Sequence, residues 1–365
     1  MTWPPLRAEL RGIEPYGAPQ LDVPVQLNVN ENPYGPSPAC IADIAAAAGE
    51  AAATLHRYPD REFVALRTAL AGYLSRDAGE RGIVPEQVWA ANGSNEVMLQ
   101  LLQAFGGPGR TAVSFAPTYS MYPEYARDTS TRWVAGRRAE DFALDLDAAR
   151  DLVKTEQPSV ILLPSPNNPT GTALPPEAVG VLCEAAGDGG IVVVDEAYGE
   201  FRRAGVPSAL ELLASYRNLV VTRTMSKAFA GAGLRLGYLA AAPEICDAIR
   251  VVRLPYHLSA VTQAVALAAL RHAPELLGKV DDLRRERDAL VTWLRAEGYD
   301  VADSDANFVL FGRFADRHAV WQGLLDRGVL IRETGPEGWL RVSVGTPDEM
   351  AAFRAALTDV DGERA

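Results

Sequence analysis

A chain of 365 residues, 48% hydrophobic and 22% charged, has room for two domains at roughly 150 residues each. Its formal net charge of −12 excludes the broad basic face that nucleic-acid binding requires. Anionic ligands must therefore be held by a few placed arginines. The segment through Pro38 is rich in proline, glycine and asparagine and has no sustained period, so it reads as an arm ordered by packing on something else. The alanine-rich run Ile41 to Leu55 is broken by Asp43, Gly49 and Glu50, which predicts an amphipathic or buried helix and not a membrane span. Glu62 to Arg76 places Phe63, Leu66, Leu70 and Leu74 on one helical face.

Short apolar runs then alternate with helical stretches: Val88–Ala91, Ala112–Phe115, Val160–Leu163, Ile191–Val194 and Leu219–Thr222. Continuous apolar runs separated by helices predict a mostly parallel sheet covered on both faces, an α/β large domain over residues 51–253. From 254 to 365 the pattern changes. A helix over Asp281–Glu297 precedes strand-like runs at Ala306–Phe311, Gly328–Arg332 and Trp339–Val344, and a last helix starts near Pro347. This predicts a smaller α+β domain. Residues 1–50 form the arm. Cys40, Cys183 and Cys246 are odd in number and share no metal spacing, so no metal site is expected and the compartment reads as reducing. The start, Met1 to Pro5, lacks the features of a secretory signal. A cytoplasmic protein with no membrane or nucleic-acid partner is expected.

Four segments at strand ends carry chemistry, and in open α/β sheets ligands gather at carboxyl ends. Ala91-Asn92-Gly93-Ser94-Asn95-Glu96 turns from strand to helix, and the free first-turn amides of Ser94 and Asn95 suit a phosphate. Ser165-Pro166-Asn167-Asn168-Pro169-Thr170-Gly171 fixes two carboxamides in a stiff loop. Ile191 to Tyr198 delivers Asp195 at the end of a buried strand, with Tyr198 three residues on. That acid could also cap a helix or bind magnesium, but no phosphate-binding P-loop sequence accompanies it. Thr224-Met225-Ser226-Lys227-Ala228-Phe229 sets a lysine among apolar and small neighbours, where burial lowers its pKa as a Schiff-base lysine needs. The glycines at 231, 233 and 237 have the wrong spacing for a dinucleotide fingerprint.

At these segments the chain resembles the fold-type I aminotransferases, and within them the histidinol-phosphate aminotransferase family. The resemblance runs from Leu27-Asn28-Val29-Asn30-Glu31-Asn32-Pro33 to Leu340-Arg341-Val342-Ser343-Val344-Gly345-Thr346. It implies pyridoxal phosphate as cofactor, carried by Lys227, which then moves the proton. It also implies that Asp195 faces the ring nitrogen, that Asn168 and Tyr198 face the ring 3-oxygen, and that Tyr119 stacks on the ring. The cofactor phosphate would lie on Ser94 and Asn95, beside Thr224, Ser226 and Arg235. Tyr58 would reach that phosphate from a second copy, so a homodimer with shared sites is implied. Arg341, Arg332, Tyr16 and Asn32 would bind substrate, and the small domain would be built from both chain ends. The implied substrates are glutamate or 2-oxoglutarate and a phosphorylated amino alcohol. An aromatic amino acid aminotransferase and a threonine-phosphate decarboxylase share the scaffold and stay open. A cofactor-sensing regulator would need a DNA-binding module, for which the chain before Asn28 is too short.

Overall fold

The computed structural model describes residues 4–362. The outermost residues of the expected arm and small domain, 1–3 and 363–365, lie outside the described residues, as does the first part of the Met1 to Pro5 start. Among the described residues twelve strands form in chain order: β1 Val25–Gln26, β2 Val88–Ala91, β3 Thr111–Ala116, β4 Arg132–Arg137, β5 Val160–Pro164, β6 Ile191–Asp195, β7 Leu219–Thr224, β8 Gly237–Ala241, β9 Asp300–Val301, β10 Phe308–Gly312, β11 Val329–Leu330 and β12 Trp339–Ser343.

Seven of these make one sheet in the order β2-β8-β7-β6-β5-β3-β4, parallel except for β8, which runs antiparallel to both neighbours. The central strands are buried along their whole length, as their valine, isoleucine and leucine runs require. All five expected runs became strands. Sequence reading missed β4, a half-exposed edge without an apolar run, and β8, whose start follows the glycine-rich turn after Lys227.

The helices follow their apolar faces. The helix α1 (Pro38–Ala52) starts on Ser37, whose hydroxyl accepts from the Cys40 amide, and packs on the helix Ala260–Arg271. The helix α2 (Val64–Leu74) is shorter than expected at both ends. Phe63 adopts a left-handed conformation and precedes it, while Asp60 accepts from the Glu62 and Val64 amides. The helix α3 (Ser94–Phe105) starts at the expected strand-to-helix turn. The helix expected from Asp281 begins earlier, at Ala273, with a proline in its first turn, and runs to Ala296.

The C-terminal strands are shorter than their apolar runs and split between two small sheets. β10 pairs antiparallel with β12 and β9, whereas β11 pairs in parallel with β1 from the arm. The arm is thus ordered by a strand more than 300 residues downstream. Leu27, 2% exposed, packs in an apolar cluster with Leu290, Leu294, Phe311, Leu340 and Phe353. Burying that side chain contributes about 1.5–3 kcal/mol. The larger cluster around the seven-stranded sheet takes in Cys40 at one end of the chain and Leu276 at the other, past both expected borders at 51 and 253. A third cluster, including Tyr198, Phe201, Leu283, Phe308 and Val344, lies where the two meet. All three cysteines are buried and free. No helix among the described residues is long and apolar enough to cross a membrane.

Candidate active site

The carboxyl ends of β2, β3, β5, β6 and β7 open on a cavity of about 270 Å3, closed from above by the arm and the C-terminal strands. All the expected site residues line it except Tyr58 and Asn32. Ser94 and Asn95 sit at the start of α3, whose N-cap, Gly93, has φ 87° and no side chain to cap the free amides. A Cβ at Gly93 would lie 2.5 Å from an Arg235 guanidinium nitrogen, and one at Gly237 would lie 2.1 Å from the Ser94 amide. Glycine at these two positions lets the guanidinium and the helix start approach one another. Arg235 donates to the Ser226 hydroxyl at 3.2 Å, and Thr224 donates to the same oxygen at 3.0 Å. Together these groups present amide, hydroxyl and guanidinium donors of the kind that suits a phosphate.

Asp195, at the end of β6, is buried and receives hydrogen bonds from the Tyr122 and Thr222 hydroxyls, each at 3.0 Å, and from the Ala197 amide. Burial still raises its pKa above the usual carboxylate value, against the three hydrogen bonds that lower it. The next acid faces the other way. Glu196 accepts from Arg223 and Ser208, each at 2.7 Å, and from Arg202. Burial pushes Glu196 up, but Arg223 and Arg202 more than offset it and bring it below the usual range. This buried pair fixes the turn that aims Asp195 and Tyr198.

Lys227 donates to the Val29 carbonyl at 2.8 Å and lies 5.9 Å over the Tyr198 ring. Its pKa is pushed down to about 8, first by burial and then by Arg341 and Arg235, against the pull of Glu31. Capture of an aldehyde by the cofactor-free chain should therefore accelerate with pH through about 8, since only the neutral amine attacks a carbonyl carbon. Stopped-flow absorbance would follow it. A rate that climbs only near pH 10, as for a solvated lysine, would contradict the burial argument at about the ordinary lysine value.

Arg341 is buried. It donates to the Asn168 carboxamide oxygen at 2.6 Å and to the Asn28 carbonyl at 2.8 Å, while its Nε has no partner. Arg332 stands opposite it on an antiparallel bridge and donates to the Gly17 carbonyl. Neither guanidinium has an acid partner among the described residues. Tyr16 accepts from Ser120 beside them.

Two expected residues are not brought to the cavity. The Asn32 carboxamide donates to the Ala228 carbonyl and accepts from the Tyr34 amide, so it braces the loop after Lys227 and does not line the cavity. Tyr58 is 81% exposed and stacks on Tyr256 at 4.4 Å. Sequence reading also missed partners. Thr222 could have been found as the polar residue ending the apolar run of β7, directly across from Asp195. Tyr122 and the polar atoms of Asn28, Val29 and Asn30 carried no signal beyond lying in recognised segments.

The set fits pyridoxal phosphate on chemistry alone: a built phosphate cradle, a buried acid for a ring nitrogen, hydroxyl and carboxamide donors, and a lysine with a lowered pKa. The comparisons agree. A family model described as aminotransferase class I and II matches residues 23–357. A histidinol-phosphate aminotransferase of Thermobifida fusca is 64% identical over 98% of this chain and 96% of its own length. Histidinol-phosphate aminotransferase 3 of Burkholderia lata is 61% identical over 98% of this chain and 95% of its own. The crystal structure of histidinol-phosphate aminotransferase from Sinorhizobium meliloti in complex with pyridoxal-5'-phosphate superposes with a TM-score of 0.82 at 26% identity, covering 94% of this chain and 92% of that one. A match that runs through every strand carrying a cavity residue makes the chain a member of the class I and II aminotransferase family.

Proposed function

We propose that this aminotransferase uses pyridoxal phosphate on Lys227 to interconvert histidinol phosphate and 2-oxoglutarate with imidazole-acetol phosphate and glutamate, a step of histidine biosynthesis. The observation that carries the substrate is the pair Arg341 and Arg332, adjacent on one bridge and without acid partners among the described residues. The names of the relatives agree with it. A cavity with a phosphate cradle at one end and two unpaired guanidinium groups at the other suits a phosphorylated cofactor facing an anionic substrate.

When bound, pyridoxal phosphate supplies an electron sink that stabilises negative charge at the substrate Cα. The chain does the rest. Ser94, Asn95, Thr224, Ser226 and Arg235 hold the phosphate. Asp195 would keep the ring nitrogen protonated, Asn168 and Tyr198 would donate to the ring 3-oxygen, and Tyr119 would stack on the ring. Lys227, whose pKa burial lowers to about 8, would take up the proton leaving the substrate Cα. Arg341 takes the carboxylate of glutamate, and Arg332 with Tyr16 the phosphate of histidinol phosphate. The two half-reactions share one site and should show ping-pong kinetics.

The test is a side-by-side assay of the purified protein with histidinol phosphate, phenylalanine and threonine phosphate as amino donors. Histidinol phosphate is expected to have the highest kcat/KM. Preference for phenylalanine would instead assign an aromatic aminotransferase, and carbon dioxide release from threonine phosphate a decarboxylase.

The proposal extends to assembly. The exposed Tyr58 takes no part in its own cavity, which supports a homodimer in which it reaches the second copy's cofactor phosphate. Each copy would have a large domain around the seven-stranded sheet and a small domain built from both chain ends. Mixing Lys227→Ala chains with Tyr58→Phe chains should then yield heterodimers with one site damaged twice and one intact, and that intact site should regain wild-type cofactor affinity. An active monomer in light scattering would rule this out.

A further inference from the structure

The hydroxyl of Tyr198 is approached by two carboxamides, Asn30 Nδ2 at 3.0 Å and Asn168 Nδ2 at 3.5 Å. Which end of each carboxamide faces the tyrosine is decided by a third group. The Asn30 amide donates to Ser343 Oγ at 2.9 Å, so the Ser343 hydrogen must point elsewhere, and it points to Asn30 Oδ1 at 2.9 Å. With its oxygen so engaged, Asn30 can present only N–H to Tyr198. Arg341 has no hydrogen-bond acceptor to offer and donates to Asn168 Oδ1, so Asn168 too turns N–H towards the tyrosine. The Tyr198 oxygen thus accepts from two sides, and its own hydrogen is left to the cavity.

Asn30 is held for this task. It is 1% exposed, sits in the left-handed region at φ 56°, and its carbonyl accepts from Asn307 at 3.0 Å. Asparagine is among the few residues that adopt this conformation readily.

We propose that Asn30 and Ser343 are positioning residues that, with Asn168 and Arg341, form a one-way hydrogen-bond relay forcing Tyr198 to donate its proton to the cofactor's ring oxygen. This rests on the reading of Tyr198 given above. The relay joins the arm and β12 to the end of β6, so the donation is complete only when the C-terminal strand is seated.

A donor fixed on that oxygen competes with the linked lysine nitrogen for the same negative charge, which makes the nitrogen give up its proton at lower pH. Losing the relay lets the Tyr198 hydroxyl turn away, and the titration of the lysine-bound cofactor moves to higher pH. The other groups facing this point are Asp195 from β6, Arg341 from β12, Tyr16 from the arm, Tyr119 from the loop after β3 and Lys227, whose nitrogen lies over the Tyr198 ring. All five are unchanged in the variants below. Burial raises the Tyr198 hydroxyl, while Arg341 and the Asn30 bond oppose it, which fits a phenol kept protonated as a donor.

The experiment is a pH titration of the visible absorbance of the holoenzyme. Asn30→Gly keeps the backbone conformation and removes the carboxamide. Ser343→Ala removes only the group that orients it, and Ser343→Thr restores a hydroxyl. Tyr198→Phe is the reference. Asn30→Gly and Ser343→Ala are expected to shift the titration upward by on the order of one pH unit, the size of one lost hydrogen bond, with Tyr198→Phe at least as large and Ser343→Thr near wild type. A merely structural role would lower stability or cofactor retention without moving the titration. A shift in Tyr198→Phe alone, with Asn30→Gly and Ser343→Ala unmoved, would overturn the relay and leave the reading of Tyr198 standing. An unmoved Tyr198→Phe would overturn both.

Discussion

Lys227→Ala is expected to lower turnover by roughly 10^4-fold or more, because acid–base transfer alone supplies about 10^2–10^4 and the covalent step is lost with it. The argument rests on where the lysine stands. Its nitrogen is held by the Val29 carbonyl, beneath the closing arm, with its pKa lowered to about 8, so it is available as a neutral amine near physiological pH. No other lysine among the described residues lines the cavity. The phosphate cradle at Ser94, Asn95 and Arg235 is untouched by the substitution, so the variant should retain cofactor noncovalently and lose the absorbance of the lysine-bound form. Single-turnover spectroscopy separates the two effects. A variant that transaminates near the wild-type rate would remove the assignment of Lys227 and the mechanism built on it.

Arg341→Leu is expected to weaken glutamate and histidinol phosphate together. Removing one partner of a buried, hydrogen-bonded charge pair costs about 2–5 kcal/mol. At about 1.4 kcal/mol per tenfold, kcat/KM should fall roughly 30- to several-thousand-fold for both substrates. The upper part of that range is favoured by a second loss. Arg341 also fixes the Asn168 carboxamide at 2.6 Å, so on the proposed mechanism its removal disturbs the donor to the cofactor as well as the substrate anion. Arg332→Leu and Tyr16→Phe should behave differently, harming histidinol phosphate while glutamate barely changes. Steady-state kinetics with both donors measure the asymmetry. If phenylalanine is the better donor and Arg332→Leu is indifferent to every substrate, the site belongs to an aromatic aminotransferase.

The strands of the large sheet were legible because burial on both faces demands unbroken apolar runs, and Val160–Leu163 and Ile191–Val194 have nothing else in them. β4 was not, because an edge strand has one solvated face and Arg132–Arg137 carries arginine at both ends. β1 and β11 were hidden for another reason. Two-residue strands have no periodicity, and their pairing joins segments with no local relation. Within the site, residues at strand ends were readable from the apolar run that precedes them. Asp195, Thr224 and Lys227 belong to this class. Thr222 and Tyr122 were not read, since their role is to hold Asp195 and follows only from sheet register and helix placement. Asn32 misled in the opposite sense. It lies in a recognised segment, but its carboxamide is spent on the Ala228 carbonyl.

The meeting of the chain ends has a consequence for biosynthesis. Synthesis proceeds from the N-terminus, and domains generally fold as their residues emerge. Asn30 must wait for Ser343, 313 residues later, and Val25 and Gln26 for Val329 and Leu330. Until β12 has left the ribosome, the arm lacks Ser343, the Leu27 cluster lacks Leu340 and Phe353, and Arg341 is missing from the upper wall of the cavity. The seven-stranded sheet, by contrast, has all its strands by Ala241. The nascent chain therefore passes through a stage with a formed phosphate cradle and no substrate arginines, and loop closure over that distance makes the arm the last part to settle. A ribosome-stalled chain ending before Trp339 should already protect the central strands from proteolysis while the arm through Asn30 is still cut.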